Sequence, residues 1–218
     1  MSIKHFFSAS CLSSVLLATG AICQETNRQC LYDFETTSQG WVVESYSSTR
    51  GALSVDQSKL KSFSGNYSLK VTLNLSRIPD SLSQGEIRVD LRSDAPGNQF
   101  GPLDLTGKIV WARVYFPKGF EGEANSPNGI QLFAKSVQTD SMGQEQSRSL
   151  YGYWKNASGQ SGKWVEMKLL ISDRPSAGIH VDKGFDPRSI GYIGVKFGVG
   201  GRSNAKFSGD IFVDCISW

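Results

Sequence analysis

The chain has 218 residues, of which 23 are Lys or Arg and 20 are Asp or Glu, and its formal charge of +3 is scattered without a basic run. That balance excludes the electrostatic footprint of a nucleic-acid binder or of a protein held on an anionic membrane. With 23 glycines, 7 prolines and no amphipathic helical stretch, the composition also argues against a helical bundle and for an all-β protein.

Residues 1–23 come first. Lys4 precedes a short apolar stretch, Leu12 to Ala21, and then small residues, the pattern of a secretory signal peptide. The stretch is interrupted by Ser13, Ser14 and Thr19 and falls short of the roughly 20 apolar residues of a membrane helix. An exported, unanchored protein is expected, extracellular or periplasmic. Ile22 before Cys23 argues against a lipoprotein signal. Cysteines stand at 11, 23, 30 and 215, and cleavage after Cys23 leaves Cys30 and Cys215 alone. Exported proteins seldom keep a loose thiol, so these two are expected to pair and join the first strand to the last. Residues 24–218 then form one domain, expected to be monomeric.

Along that domain the predicted strands are 30–35, 41–45, 52–56, 67–75, 86–92, 108–116, 130–137, 150–154, 163–172, 190–198 and 209–218. So many short strands in one domain require two packed antiparallel sheets, a β-sandwich. Pro96-Gly97, Pro117-Lys118-Gly119 and Pro127-Asn128-Gly129 read as turns, and the polar segments 121–129 and 139–149 as long connections that could rim a site.

Several strands are two-faced. In 109–116, Val110, Ala112, Val114 and Phe116 share one side and Ile109, Trp111, Arg113 and Tyr115 the other. In 86–92, Ile87, Val89 and Leu91 oppose Glu86, Arg88, Asp90 and Arg92. Gln131, Phe133 and Lys135 alternate with apolar residues in the next strand, as do Tyr192, Gly194 and Lys196 further on. If these strands are neighbours, their polar and aromatic side chains make one surface. Flat rings with planar hydrogen-bonding groups suit a sugar, whose C–H faces stack while its hydroxyls seek donors and acceptors. A sheet's wet face is also ordinarily polar, and that reading stays open.

The two ends of the domain carry further signatures: Tyr32-Asp33-Phe34-Glu35 with Gly40-Trp41 and Ser64-Gly65-Asn66-Tyr67-Ser68-Leu69, and Gly209-Asp210-Ile211-Phe212-Val213-Asp214-Cys215-Ile216. Between them lie Leu103-Asp104-Leu105-Thr106-Gly107-Lys108, Gly162-Lys163-Trp164-Val165-Glu166, Gly184-Phe185-Asp186-Pro187 and Ile193-Gly194-Val195. In this order and spacing they resemble the galactose-binding-like jelly-roll carbohydrate-binding modules attached to bacterial mannanases and glucanases. The resemblance spans essentially the whole mature chain. It implies a jelly-roll sandwich that binds a glycan on its concave sheet without cleaving it. The positions filling that role would be Arg88, Asp90, Trp111, Arg113, Tyr115, Gln131, Phe133, Lys135 and Lys196, with Tyr151 or Tyr153 from the next strand. It also implies a structural calcium where the first and last strands meet, with Glu35 and Asp214 at the ligand positions, backbone oxygens near 61–64 completing the shell and Asp33 a weaker candidate.

Two rivals share the fold. A lyase or glycoside hydrolase could use the same face. Glu86 and Asp90, four residues apart on one strand, would stand roughly 13 to 14 Å apart, too far for a glycosidase pair. Asp90 with Glu166 would serve only if their strands adjoin, and a lyase set could draw on Tyr151, Tyr153, Lys155, Arg113 and Gln131. Only His180 survives in the mature chain, which leaves zinc short of ligands. The second rival uses the aromatic face for a protein partner. For a glycan, the basic excess over Asp90 leaves uronate-containing polymers open beside neutral β-glucans and mannans.

Overall fold

The computed structural model describes residues 29–44, 51–77, 83–93, 101–202 and 204–218. The expected signal peptide and the Pro96-Gly97 turn lie outside them. In chain order the strands are β1 (Val42–Val43), β2 (Ala52–Ser58), β3 (Ser68–Ser76), β4 (Gln84–Asp90), β5 (Ile109–Phe116), β6 (Gly122–Glu123) and β7 (Ser126–Pro127). They continue with β8 (Gly129–Thr139), β9 (Glu145–Tyr151), β10 (Lys155–Asn156), β11 (Lys163–Leu170), β12 (His180–Val181), β13 (Ile190–Gly198) and β14 (Lys206–Ser217). A seven-stranded sheet has the order β1-β4-β13-β8-β9-β12, with β10 added beside β8; a five-stranded sheet has the order β11-β5-β14-β3-β2. Every pair that joins them is antiparallel, so the chain forms a two-sheet jelly-roll β-sandwich.

Two-residue alternation builds the core. Leu69, Val71, Leu73 and Leu75 of β3 and the inward residues of β5 and β14 are fully or almost fully buried against Ile87, Val89, Leu132, Ile193, Val195 and Phe197 of the other sheet. Each such side chain contributes roughly 1.5 to 3 kcal/mol by leaving water. Tyr32, Phe34 and Trp41 close one end as an aromatic cluster, with ring centroids 5.9 to 6.4 Å apart.

Two expectations need correction. The first predicted strand is reduced to a bridge between Tyr32 and Ile216, because Phe34 takes φ 58° and the chain turns there. Segment 139–149 is not a long loop: Asp140 receives the N–H groups of Met142 and Gln144, closing a tight turn, and β9 returns at Glu145 along β8. Residues 145–148 are all exposed, so β9 lacks the apolar alternation by which a strand is recognised.

Cys30 and Cys215 are joined, 185 residues apart, and fasten the entry of the domain to the final strand. Closing a loop of this length stabilises the fold by about 5 kcal/mol on loop-closure entropy. Reduction, or Cys30→Ala with Cys215→Ala, is expected to lower the thermal midpoint by about 10 to 20 °C at roughly 2 to 4 °C per kcal/mol. A midpoint that stays in place on reduction shows the termini to be held by packing alone.

Candidate functional site

The outer face of the seven-stranded sheet is assembled by register. Arg88 lies opposite Gly194, Glu86 opposite Lys196, Asp90 opposite Tyr192, and Gln131, Phe133 and Lys135 opposite Lys196, Gly194 and Tyr192. Tyr151 pairs with Phe133 and extends the face to β9. Of the residues singled out in the sequence, Arg88, Asp90, Gln131, Phe133, Lys135, Tyr151 and Lys196 therefore share one surface.

Its middle is a charge network over a buried ring. A Cβ on Gly194 would fall onto the Phe133 ring, so the glycine is the space in which that ring lies, and Phe133 is 0% exposed. Tyr151 packs on it at 5.6 Å. Glu86, only 2% exposed, accepts the Tyr151 hydroxyl at 3.2 Å and has the ammonium groups of Lys196 and Lys135 at 3.6 and 4.0 Å. Glu44, also buried, takes Arg88 at 2.6 Å and Lys135 at 3.3 Å. The Arg88 guanidinium covers the Tyr192 ring, 4.1 Å from its centroid. At the rim Arg92 joins Asp90 at 2.7 Å, the Tyr192 hydroxyl and Glu145. Burial works against the Asp90 charge, but the Arg92 hydrogen bonds outweigh it and hold the carboxyl below its usual range.

The sharpest feature is a cross-strand glycine pair. Gly129 and Gly198 are directly opposite, and Cβ atoms there would meet the Trp154 indole, the one on Gly198 at 2.7 Å from Cη2. The ring thus lies across both glycines, and it is 38% exposed. A cleft of about 570 Å³ opens beside it, bounded by Gln131, Lys196, Asn156, Arg77 and Gln84. Val199 to Gly201 also line it, and this segment is pinned by the Gly200 N–H donating to Asn128 Oδ1 at 2.9 Å. Segment 121–129 does border this cleft, through Asn125 to Pro127.

Strand order separates the remaining residues from this surface. Trp111, Arg113 and Tyr115 belong to β5, which pairs with β11 and β14 in the other sheet, so they stand on the opposite outer face of the sandwich. The alternation holds in each strand, and β4, β13 and β8 are neighbours, but β5 is not one of them. Each of the three meets its cross-strand neighbour: Lys168 over Trp111 at 4.0 Å, Glu166 on Arg113 at 2.9 Å, and Trp164 against Tyr115 at 5.6 Å. Phe63 packs between Arg113 and Trp164. Tyr153 is also off the face, its hydroxyl donating to Ala177 O at 2.8 Å beside Ile109 and Leu170. Phe133 and Lys135 lie on the face but beneath it, as the support of the network and not as display. Asp90 and Glu166 are in different sheets, and so are Gln131 and Arg113, so neither the carboxylate pair nor the lyase set is assembled.

Trp154 and Glu44 are not singled out by the sequence, and Glu86 and Tyr192, which it places on the polar sides of their strands, are not among the expected binding positions. The available signal for Trp154 was glycine inside two strands, which marks close approach of another group.

Glu35 and Asp214 converge on loop 61–67 at the junction of the first and last strands. Glu35 Oε1 accepts the N–H groups of Asn66 and Tyr67, and Asp214 Oδ2 those of Phe63 and Ser64. Asp33 instead receives the Glu35 N–H and the Gln39 amide within its own turn. Burial, opposed by three backbone N–H groups and reinforced by Glu35, pushes the Asp214 carboxyl up to about 6. Among the described residues no three His, Cys, Asp or Glu side chains gather as a metal-ligating group.

No protein-family model matches the sequence, and no curated protein matches it. Among solved structures, a carbohydrate-binding module of the β-sandwich superfamily, described for its promiscuous specificity, superposes with a TM-score of 0.51 at 19% identity. The match covers 87% of this chain and 61% of that one, so this chain spans less than two thirds of its length. The CBM22-1 xylan-binding domain of Paenibacillus barcinonensis Xyn10C gives a TM-score of 0.44 at 16% identity, over 86% and 92% of the two chains. At these identities the likeness is one of fold: the chain has the β-sandwich architecture found in carbohydrate-binding modules.

Gly194→Ala is expected to force apart the Phe133 ring and the Ile87 carbonyl, costing about 1 to 3 kcal/mol and about 2 to 12 °C of thermal midpoint. An unchanged midpoint would mean that Phe133 does not lie over Gly194.

Proposed function

We propose that this is an exported protein that binds a polysaccharide chain on the outer face of its seven-stranded sheet, without cleaving it. The observation that carries the reading is Trp154 held across Gly129 and Gly198 beside an open cleft. A partly exposed indole fixed against a sheet offers a flat apolar platform for the C–H face of a sugar. Gln131, Asn156 and Lys196 stand beside it with donors and acceptors for hydroxyls. Gln131 Nε2 is engaged by Gly152 O at 2.5 Å, which orients its amide oxygen as an acceptor for the ligand. The fold shared with carbohydrate-binding modules supports the reading, and the disulfide is in keeping with an oxidising compartment.

A panel of xylan, glucomannan, β-glucan and polyuronate tested by affinity electrophoresis and for new reducing or unsaturated ends separates binder from enzyme. Retention without new ends is expected. Trp154→Ala should weaken binding at least about tenfold, the loss of a central aromatic anchor, whereas Trp111→Ala on the opposite face should retain it. Loss of binding in Trp111→Ala alone would transfer the site to the five-stranded sheet, and release of ends would make the protein an enzyme.

We also propose calcium at Glu35 and Asp214, with backbone carbonyls from loop 61–67. Two carboxylates that converge beneath one loop, with Glu35 adding to the burial that works against the Asp214 charge, form a place that a divalent cation stabilises. At a hundredfold excess over Kd, calcium should add about 2.7 kcal/mol and raise the thermal midpoint by about 5 to 11 °C. Asp214→Asn should remove that increment. A midpoint indifferent to both calcium and chelator rules the site out.

A further inference from the structure

The charges of the outer face are unevenly spent. Arg92 is committed to Asp90 and Glu145, and Arg88 to Glu44. Lys135 sits between Glu44 and Glu86. Over the whole face four carboxylates, Glu44, Glu86, Asp90 and Glu145, meet four cations, Arg88, Arg92, Lys135 and Lys196, but the contacts are not equally close. The loosest of these cations is at the Trp154 end: Lys196 Nζ is 3.6 Å from Glu86 Oε1, longer than a direct hydrogen bond, and Lys196 borders the cleft. Arg77 borders the same cleft, and none of the described residues lining it is acidic. A site for a neutral glycan commonly draws on carboxylates, the strongest acceptors for hydroxyls. This one offers cations and amides.

Resting on the polysaccharide-binding reading above, we propose that the Trp154 cleft takes an anionic glycosyl unit, its ring on the indole and its carboxylate or sulfate ester held by Lys196 and Arg77. The amides of Gln131 and Asn156 then serve the remaining hydroxyls. The two possible anions present the same chemistry to these cations, and the ligand decides between them.

Matched pairs of polymers test the proposal: polygalacturonate against its full methyl ester, and a sulfated galactan against the same galactan desulfated, by affinity electrophoresis or calorimetry. At least one acidic polymer should bind at least about fivefold tighter than its neutral partner, and added salt should narrow that gap. The pair that shows it identifies carboxylate or sulfate. Arg77→Gln and Lys196→Gln should each shrink the ratio by about three- to tenfold, whereas Arg188→Gln, the same charge change beside Asp186, should leave it in place. Equal affinity for charged and neutral partners, with both lost in Trp154→Ala, overturns the anionic ligand and leaves glycan binding standing. A preference that Arg188→Gln lowers as much as Arg77→Gln does also overturns it, because net charge alone would then be responsible. Retention of no polysaccharide at all defeats the binding reading itself.

Discussion

Two carboxylates, those of Glu44 and Glu86, lie almost out of reach of water on what is nominally the wet face of a sheet. An unpaired ion so placed costs several kcal/mol, and most of the local structure follows from avoiding that cost. Lys135 is drawn between them, and Arg88 is turned along the sheet to Glu44, where its guanidinium also covers Tyr192. Tyr151 is fixed by its hydroxyl on Glu86 and by its ring on Phe133. Glu44 has Arg88 and Lys135 beside it and Glu86 has Lys135 and Lys196, so each buried charge is held from two sides and the network stiffens the centre of the face. What remains for a ligand is at the end, where the network runs out and Trp154 begins.

Glycine gives the same face its relief. Gly194 lets the Phe133 ring sink into the centre, and the Gly129 and Gly198 pair lets the Trp154 ring lie down at the edge. The two rings have different fates because of what covers them. Phe133 is packed by Tyr151 and has a lysine beside it, whereas Trp154 follows the end of β9 at Tyr151 and keeps part of its surface in water. A platform of this kind needs no movement before a ring settles on it, which spares the ordering cost that a mobile aromatic would bring.

Much of this was legible in the sequence. Two-residue alternation identified the buried side of β4, β5, β8 and β13, and the cysteine count identified the bridge. Strand adjacency was not legible, because alternation reports which side of its own strand a residue occupies and says nothing of which strand lies beside it. Trp111, Arg113 and Tyr115 have the pattern of a binding face, and the structure satisfies that pattern with Lys168, Glu166 and Trp164 on β11. The charge network was hidden for a related reason: Glu44 follows β1 and Glu86 is an ordinary polar position in an alternating strand, and their partners Lys135, Lys196 and Tyr151 come from other strands. Trp154 escaped because alternation over 150–154 sets it on the side opposite Tyr151 and Tyr153, whereas β9 ends at Tyr151, and the glycines that seat it are 25 and 44 positions away in sequence.

The opposite face shows why residue types alone do not define a site. Phe63, Tyr115, Trp164 and Phe212 form an aromatic group as rich as anything on the seven-stranded sheet, with cations over two of the rings. Yet these rings meet edge to face at 5.6 to 6.2 Å, each spending its surface on the next, and loop 61–67 lies over them to reach Asp214. This is the joint that carries the disulfide and the two converging carboxylates, where rings and charges serve to fasten the last strand. One outer face of the sandwich is therefore occupied in holding the ends of the domain together, and the other keeps an indole and two cations at a cleft open to a ligand.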